Sequence, residues 1–180
     1  MTTPNDITQI ITYFSKGYQR TNRFAVEIEN QGNIITFWAT SVQIPSQSIV
    51  YYPETFSPSG PSIFIPLKRE YDERFLIDFI VESDWSVRTY FENWYNAMFS
   101  VGSSPTTSNK VNTRETALRQ LNIKAYNENG TQNSEFILYD AFPKLLLPSQ
   151  FSEDAPNQYL TLTVDFNYRY YKFTKSNLQN

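Results

Sequence analysis

The chain has 180 residues, with 15 basic and 18 acidic side chains for a net charge of −3, and it contains no cysteine and no histidine. Without cysteine there is no disulfide, zinc–thiolate site, Fe–S cluster or thiol catalysis; without histidine there is no Ser-His-Asp triad and no imidazole base or ligand. No basic run suggests capture of nucleic acid, and the length fits one domain, residues 1–180, that buries its own core.

Aromatic residues make up 17 % of the chain, 13 Tyr and 14 Phe among them, and aromatics favour strands and interfaces. Only 5 Gly and 10 Pro argue against a low-complexity chain. Residues 1–11 lack the basic and long apolar regions of a signal peptide, and no apolar run is long enough to span a bilayer. These features lead us to expect a soluble protein made in a cytoplasm.

In residues 1–20, Ile7, Ile10, Ile11 and Phe14 stand at helical spacing between a possible N-cap, Asn5, and Gly17. A short helix and a loose arm are both compatible with this. Phe24, Val26 and Ile28 then alternate with Ala25, Glu27 and Glu29 in a half-buried strand. After a turn at 30–33, residues 34–43 read as its hairpin partner. Residues 45–66 carry Pro45, Pro53, Pro58, Pro61 and Pro66 together with Tyr51, Tyr52, Phe56, Ile63 and Phe64. The pattern predicts a long, ordered, apolar loop that needs a surface to cover.

Phe75, Ile77, Phe79 and Val81 alternate in the next strand, 74–82. Ser83 or Asp84 is expected to cap a helix whose apolar stripe is Val87, Phe91, Trp94 and Met98. Residues 102–116 read as a polar surface loop. A second hairpin is expected from 118–126 and 135–139 around a turn at 127–130. The closing strand shows the clearest alternation: Leu160, Leu162, Val164, Phe166, Tyr168 and Tyr170 on one side, Thr161, Thr163, Asp165, Asn167 and Arg169 on the other. The expected fold is mainly β, with about six or seven antiparallel strands in a sandwich or barrel and one packed helix.

Chemistry is hard to place on this chain. Glu70, Asp72 and Glu73 in the charged run 68–74 lack the spacing of a calcium loop, and a solvated turn or a salt-bridge patch at a subunit contact accounts for them better. Trp85, Tyr90, Trp94 and Tyr95 could stack on a ring ligand, but helical spacing favours core for the stripe that holds Trp94. No phosphate loop or nucleophile elbow is present. No catalytic residue, metal ligand or cofactor is assigned.

Four segments, in order, resemble the tail-tube proteins of contractile-tailed bacteriophages. They are Asn22-Arg23-Phe24-Ala25-Val26-Glu27-Ile28; the stretch from Arg69-Glu70-Tyr71-Asp72 through Phe79 to Glu82-Ser83-Asp84 with Phe91 and Trp94; Ile137-Leu138-Tyr139-Asp140-Ala141-Phe142-Pro143; and Phe166-Asn167-Tyr168-Arg169-Tyr170-Tyr171. The resemblance covers roughly residues 22–173 and leaves out the first twenty residues and the loop 102–116.

The resemblance implies a structural virion protein without enzymatic activity, built in the host cytoplasm into the tail. It implies hexameric rings sharing an inner β-barrel and stacking into a conduit for DNA, which passes without specific binding. Implied partners are further copies of the chain, a sheath protein, and baseplate and tail-terminator proteins. In that frame Tyr51, Tyr52, Phe56, Ile63 and Phe64 become candidates for contact between rings. Glu27, Glu29, Thr161, Thr163, Asp165 and Asn167 become candidates for the lumen lining, and Arg69, Asp72, Glu73 and Arg74 for charges at subunit contacts. Rival readings are a baseplate initiator or injection-system ring, a monomeric carbohydrate-binding β-sandwich, and a two-carboxylate hydrolase.

Overall fold

The computed structural model describes residues 19, 21–30, 32–54, 60, 62–72, 74–100, 110–147 and 159–175, except the side chains of Ser100, Lys110, Val111 and Glu115. In chain order the strands are β1 (Phe24–Asn30), β2 (Asn33–Phe37), β3 (Ala39–Val42), β4 (Gln47–Glu54), β5 (Ile63–Tyr71) and β6 (Phe75–Ile80). Helix α1 (Ser86–Met98) follows, then β7 (Phe99–Ser100), β8 (Lys110–Val111) and a single-turn helix α2 (Arg114–Ala117). The chain continues through β9 (Arg119–Tyr126), β10 (Gln132–Leu146), β11 (Thr161–Asn167) and β12 (Tyr170–Lys175). The short helix or loose arm considered for residues 1–20 lies, apart from Gln19, outside the described residues, as does most of the polar loop 102–116.

All strand pairs are antiparallel, and eight strands form one sheet that runs β2-β1-β9-β10-β11-β6-β3, with β12 also on β10. The mainly β architecture with one packed helix agrees with the sequence reading. The strand count is higher because two expected long strands are each broken and because β4, β5, β7 and β8 form where no strand was expected. Residues 34–43 divide at Trp38: β2 pairs with β1 while β3 pairs with β6, and the Ile80 amide donates to the Trp38 carbonyl at 2.9 Å. The closing strand divides at Tyr168–Arg169, so β11 and β12 pair with successive halves of β10.

The bend that makes this possible lies in β10. Its register shifts between Leu138 and Ala141, and Asp140 sits between them with φ 55°. A left-handed backbone is uncommon outside glycine, and Asp is among the residues that tolerate it. The Asp140 carboxylate accepts from the guanidinium groups of Arg114 and Arg169, which ties α2 and the β11–β12 break to the same corner. The bend folds the sheet over on itself, so that β2-β1-β9 with the first part of β10 faces β3-β6-β11 with the last part.

Between the two layers lies the core. Val26, Ile28, Leu121 and Leu138 come from one layer, and Phe75, Ile77, Phe79, Leu162, Val164 and Phe166 from the other. Helix α1 closes the core with the expected stripe, Val87, Phe91, Trp94 and Met98, all buried. The Phe91 ring lies 5.2 Å from Phe79, 5.9 Å from Phe37 and 5.9 Å from Phe166, so it touches both layers. Trp94 donates its indole N–H to the Ala117 carbonyl at 2.8 Å, and the Arg119 guanidinium lies 4.1 Å over its ring. The helix start differs from expectation. Trp85 occupies the N-cap with φ 60° and makes no side-chain cap bond, while Asp84 accepts the Ser86 amide at 3.1 Å from one residue further out.

Candidate assembly surface

Residues 45–66 are not the expected loop. β4 and β5 pair with each other over Gln47–Glu54 and Ile63–Tyr71 and form a two-stranded arm. Pro53 and Pro66 fit inside these strands because each strand of a two-stranded ribbon has a free edge, where a missing N–H breaks no ladder bond. Apolar side chains occupy both faces of the arm and stay in water: Ile49, Tyr51, Tyr52, Ile63, Phe64 and Leu67 are all more than half exposed, Leu67 the most at 63 %. Tyr51 and Phe64 pack edge to face at 5.1 Å, which steadies the exposed ribbon. Of the candidate ring-contact residues, Tyr51, Tyr52, Ile63 and Phe64 therefore come together on the arm; Phe56 lies outside the described residues. Ile49, Ile65 and Leu67 belong with them and were missed, although the apolar run Ile63-Phe64-Ile65 and Leu67 just after Pro66 carried the signal.

At the base the arm is clasped. The Asp72 amide donates to the Ser46 carbonyl at 3.3 Å, and the Ser46 hydroxyl donates to the Asp72 carboxylate at 3.3 Å. The other Asp72 oxygen accepts the Arg74 amide at 3.1 Å. Beside the clasp, the Tyr71 ring packs against Tyr171 at 5.6 Å and Tyr168 at 6.4 Å. The Tyr168 hydroxyl is buried and has no hydrogen-bond partner among the described residues. Its pKa is pushed up to about 12, by burial first and then by the nearby Asp72 carboxylate.

Asp72, expected as a subunit-contact charge, closes this clasp. Arg74 stands 3.9 Å from Asp165, Arg69 lies on the arm, and Glu73 is outside the described residues.

The candidate lumen residues divide between the two layers. Glu27 and Glu29 are on β1, where Lys124 reaches the Glu27 carboxylate at 2.7 Å. That hydrogen bond raises the Lys124 pKa, against the smaller opposing effect of burial. Thr161, Thr163, Asp165 and Asn167 are on β11 in the other layer. Thr161 is exposed, and the Thr163 hydroxyl donates to Asp78 on β6. Asp165 departs from the alternation: its side chain is only 10 % exposed, and it accepts the Phe75 amide at 3.3 Å. The Phe75 amide at the start of β6 and the neighbouring Arg74 draw it inward. Tyr170 departs as well, because the break at Tyr168–Arg169 resets the alternation, which exposes Tyr170 and turns Tyr171 toward the core.

Among the described residues, two edges of the folded sheet, β2 and β3, pair on one side only, as does β12. Among the described residues, no cluster of three or more acidic side chains could hold a metal ion, and no helix is long and apolar enough to cross a membrane.

Comparison with solved structures finds the same fold in contractile injection machines. A chain of the anti-feeding prophage baseplate superposes with a TM-score of 0.65 at 12 % identity, covering 99 % of this chain and 100 % of that one. A chain from the anti-feeding prophage tube-terminating cap gives 0.60 at 16 % identity over 88 % and 92 % of the two chains. A chain from the sheath–tube complex of an extracellular contractile injection system, PVC, gives 0.58 at 16 % identity over 95 % and 99 %. No curated protein matches the chain. The family of proteins described as phage tail tube protein matches residues 3–174. The chain belongs to the phage tail tube protein family and is a structural component of a tail tube.

Proposed function

We propose that this chain is the repeated tube subunit, that copies join edge to edge into hexameric rings, and that the rings stack into a conduit for DNA. The observation that carries this reading is the arm. A hairpin with large apolar side chains exposed on both faces is stable in water only with a surface to cover, and a neighbouring ring of the same chain offers one. The half-paired edges β2, β3 and β12 give a second reason, because an open edge is a template for another strand and ring closure removes it.

The lumen is the outer face of β3, β6 and β11. These strands contain no Lys or Arg and present Ser41, Asp78, Thr161, Thr163 and Asn167. A wall that passes DNA must not hold phosphate, and cations do most of that holding. Glu27 and Glu29, in the opposite layer beside Lys124, then lie away from the channel. The role is mechanical, without enzymatic activity or a cofactor. Sheath, baseplate and tail-terminator proteins are the partners, and the particle is the virion tail, assembled in the host cytoplasm.

Negative-stain electron microscopy with light scattering on the purified chain tests this. Hollow rings or tubes are the expected result. A monomer at every concentration and salt, unchanged by a baseplate extract, overturns it. For the lumen, Thr161→Lys with Thr163→Lys should leave tubes intact and impair DNA delivery, while Glu29→Lys should leave delivery unchanged. The reverse pattern assigns the channel to the other layer.

A further inference from the structure

A groove runs along the free edge of β12, between that strand and the base of the arm. Ile44, Pro45, Phe136 and Phe173 give it apolar walls, and Arg69 and Lys172 stand at its margin. Two of these walls are wet, Ile44 at 63 % exposure and Phe173 at 53 %, while Pro45 is buried. Among the described residues no carboxylate lines the groove, and neither cation is in an ion pair. Among the described residues β12 pairs with β10 and with no other strand, so its outer edge, beside the groove, carries open backbone donors and acceptors. A suitable occupant is an extended, apolar segment with its own open edge and a negative charge.

The far end of the arm has these properties. Val50 to Glu54 and Ser62 to Leu67 hold Tyr51, Tyr52, Ile63 and Phe64, and Glu54 is their one charged residue. Glu54 is in no ion pair among the described residues, and each arm strand has one unpaired edge. A chain cannot place its own arm end here. Gln47 lines the groove, and Glu54 lies seven residues further along the same strand, about 23 Å away at about 3.3 Å per residue. We propose that this groove receives the far end of the arm of a second copy of the chain, with Glu54 seated between Arg69 and Lys172. The contact is heterologous, end of one arm to base of the next, so it propagates from copy to copy and closes where the rotation closes. It rests on the assembly reading above and adds the seat of the arm.

The chain has no cysteine, so an engineered pair reports on one contact at a time. Glu54→Cys with Lys172→Cys, assembled and then mildly oxidised, should give a ladder of covalent oligomers on a non-reducing gel, because a disulfide needs Cα atoms within about 7 Å. Each single variant should run as a monomer. Rings or tubes that are visible by microscopy and still run as monomers overturn the proposed seat while leaving the assembly reading in place. A wild-type chain that never assembles overturns both.

If the cysteine pair blocks assembly, charge exchange decides. Glu54→Lys should raise the concentration needed for assembly about tenfold, a modest loss for a close interfacial charge pair. Adding Lys172→Glu should recover most of it. Assembly unchanged by the first substitution, or not restored by the second, overturns the seat.

Discussion

Helix α1 and the β4–β5 arm both carry regular apolar patterns, and they end in opposite environments. The helix stripe is buried, with Phe91 and Trp94 fully enclosed, whereas Ile49, Phe64 and Leu67 on the arm are each about three-fifths exposed. The helix has its complement within the chain, in the two layers on either side of Phe91. The arm is a ribbon of two strands, too thin to hide one face behind the other, so its complement lies outside the subunit. An apolar period therefore identifies an element without saying whose surface will cover it. Stability and assembly should accordingly separate along this line.

Phe91→Ala should give the largest effect, about 3–5 kcal/mol of lost stability for a fully enclosed aromatic ring that touches both layers. Urea unfolding of the dispersed subunit measures it. A loss under about 1 kcal/mol would mean that the helix is not the keystone of the core. The arm should respond in the other register. Phe64→Ser or Leu67→Ser should leave the unfolding midpoint of the subunit almost unmoved, since exposed sites shift stability by within about 0.5 kcal/mol. Assembly should weaken by about 1.5–3 kcal/mol for each side chain that a neighbour covers. Light scattering against concentration reads that difference, and an arm variant that unfolds the subunit yet still assembles would collapse the distinction.

Trp94→Phe probes the helix more finely. It keeps most of the apolar volume but loses the bond to the Ala117 carbonyl and weakens the stacking under Arg119. A cost of about 1–2 kcal/mol is expected, with assembly unchanged at concentrations where the subunit stays folded.

Much of this arrangement was legible before the structure. Alternation at Phe24–Ile28 and Phe75–Phe79 located β1 and β6, and spacings of four, three and four placed the helix stripe residue by residue. The breaks at Trp38 and Tyr168–Arg169 were not legible, because strand-forming residues run without interruption across the first and period-two alternation continues across the second. They are set by distant partners: the strand lying along β10 must break where β10 bends at Asp140, and the strand that starts on β1 must break at Trp38 to continue on β6. The arm was misread for a local reason. Five prolines in 45–66 signal a loop when strands are assumed to lie inside a sheet, and that assumption fails for a ribbon with two open edges. Asp165 went astray because alternation records which side a residue faces, and the amide of Phe75 nearby was the stronger influence.

Tyr168 stands where the two regions meet, and it gives the smallest effect. Its hydroxyl is buried beside the arm clasp without a partner among the described residues, so Tyr168→Phe removes a desolvated group and keeps the ring contacts with Tyr71 and Phe75. At neutral pH the subunit should be unchanged or up to about 1 kcal/mol more stable. The advantage of the variant should grow with alkali. The folded-state pKa of Tyr168 is raised from 10.0 to about 12, so the folded chain keeps a proton that the unfolded chain releases. The stability this contributes is complete below pH 10 and is lost progressively as pH rises toward 12. Wild type should therefore lose stability over that window faster than Tyr168→Phe, as followed by urea midpoints at pH 8, 10 and 11. Parallel curves would mean that in solution the hydroxyl reaches water or a partner, and that the arm base is more open than the clasp of Ser46 and Asp72 implies.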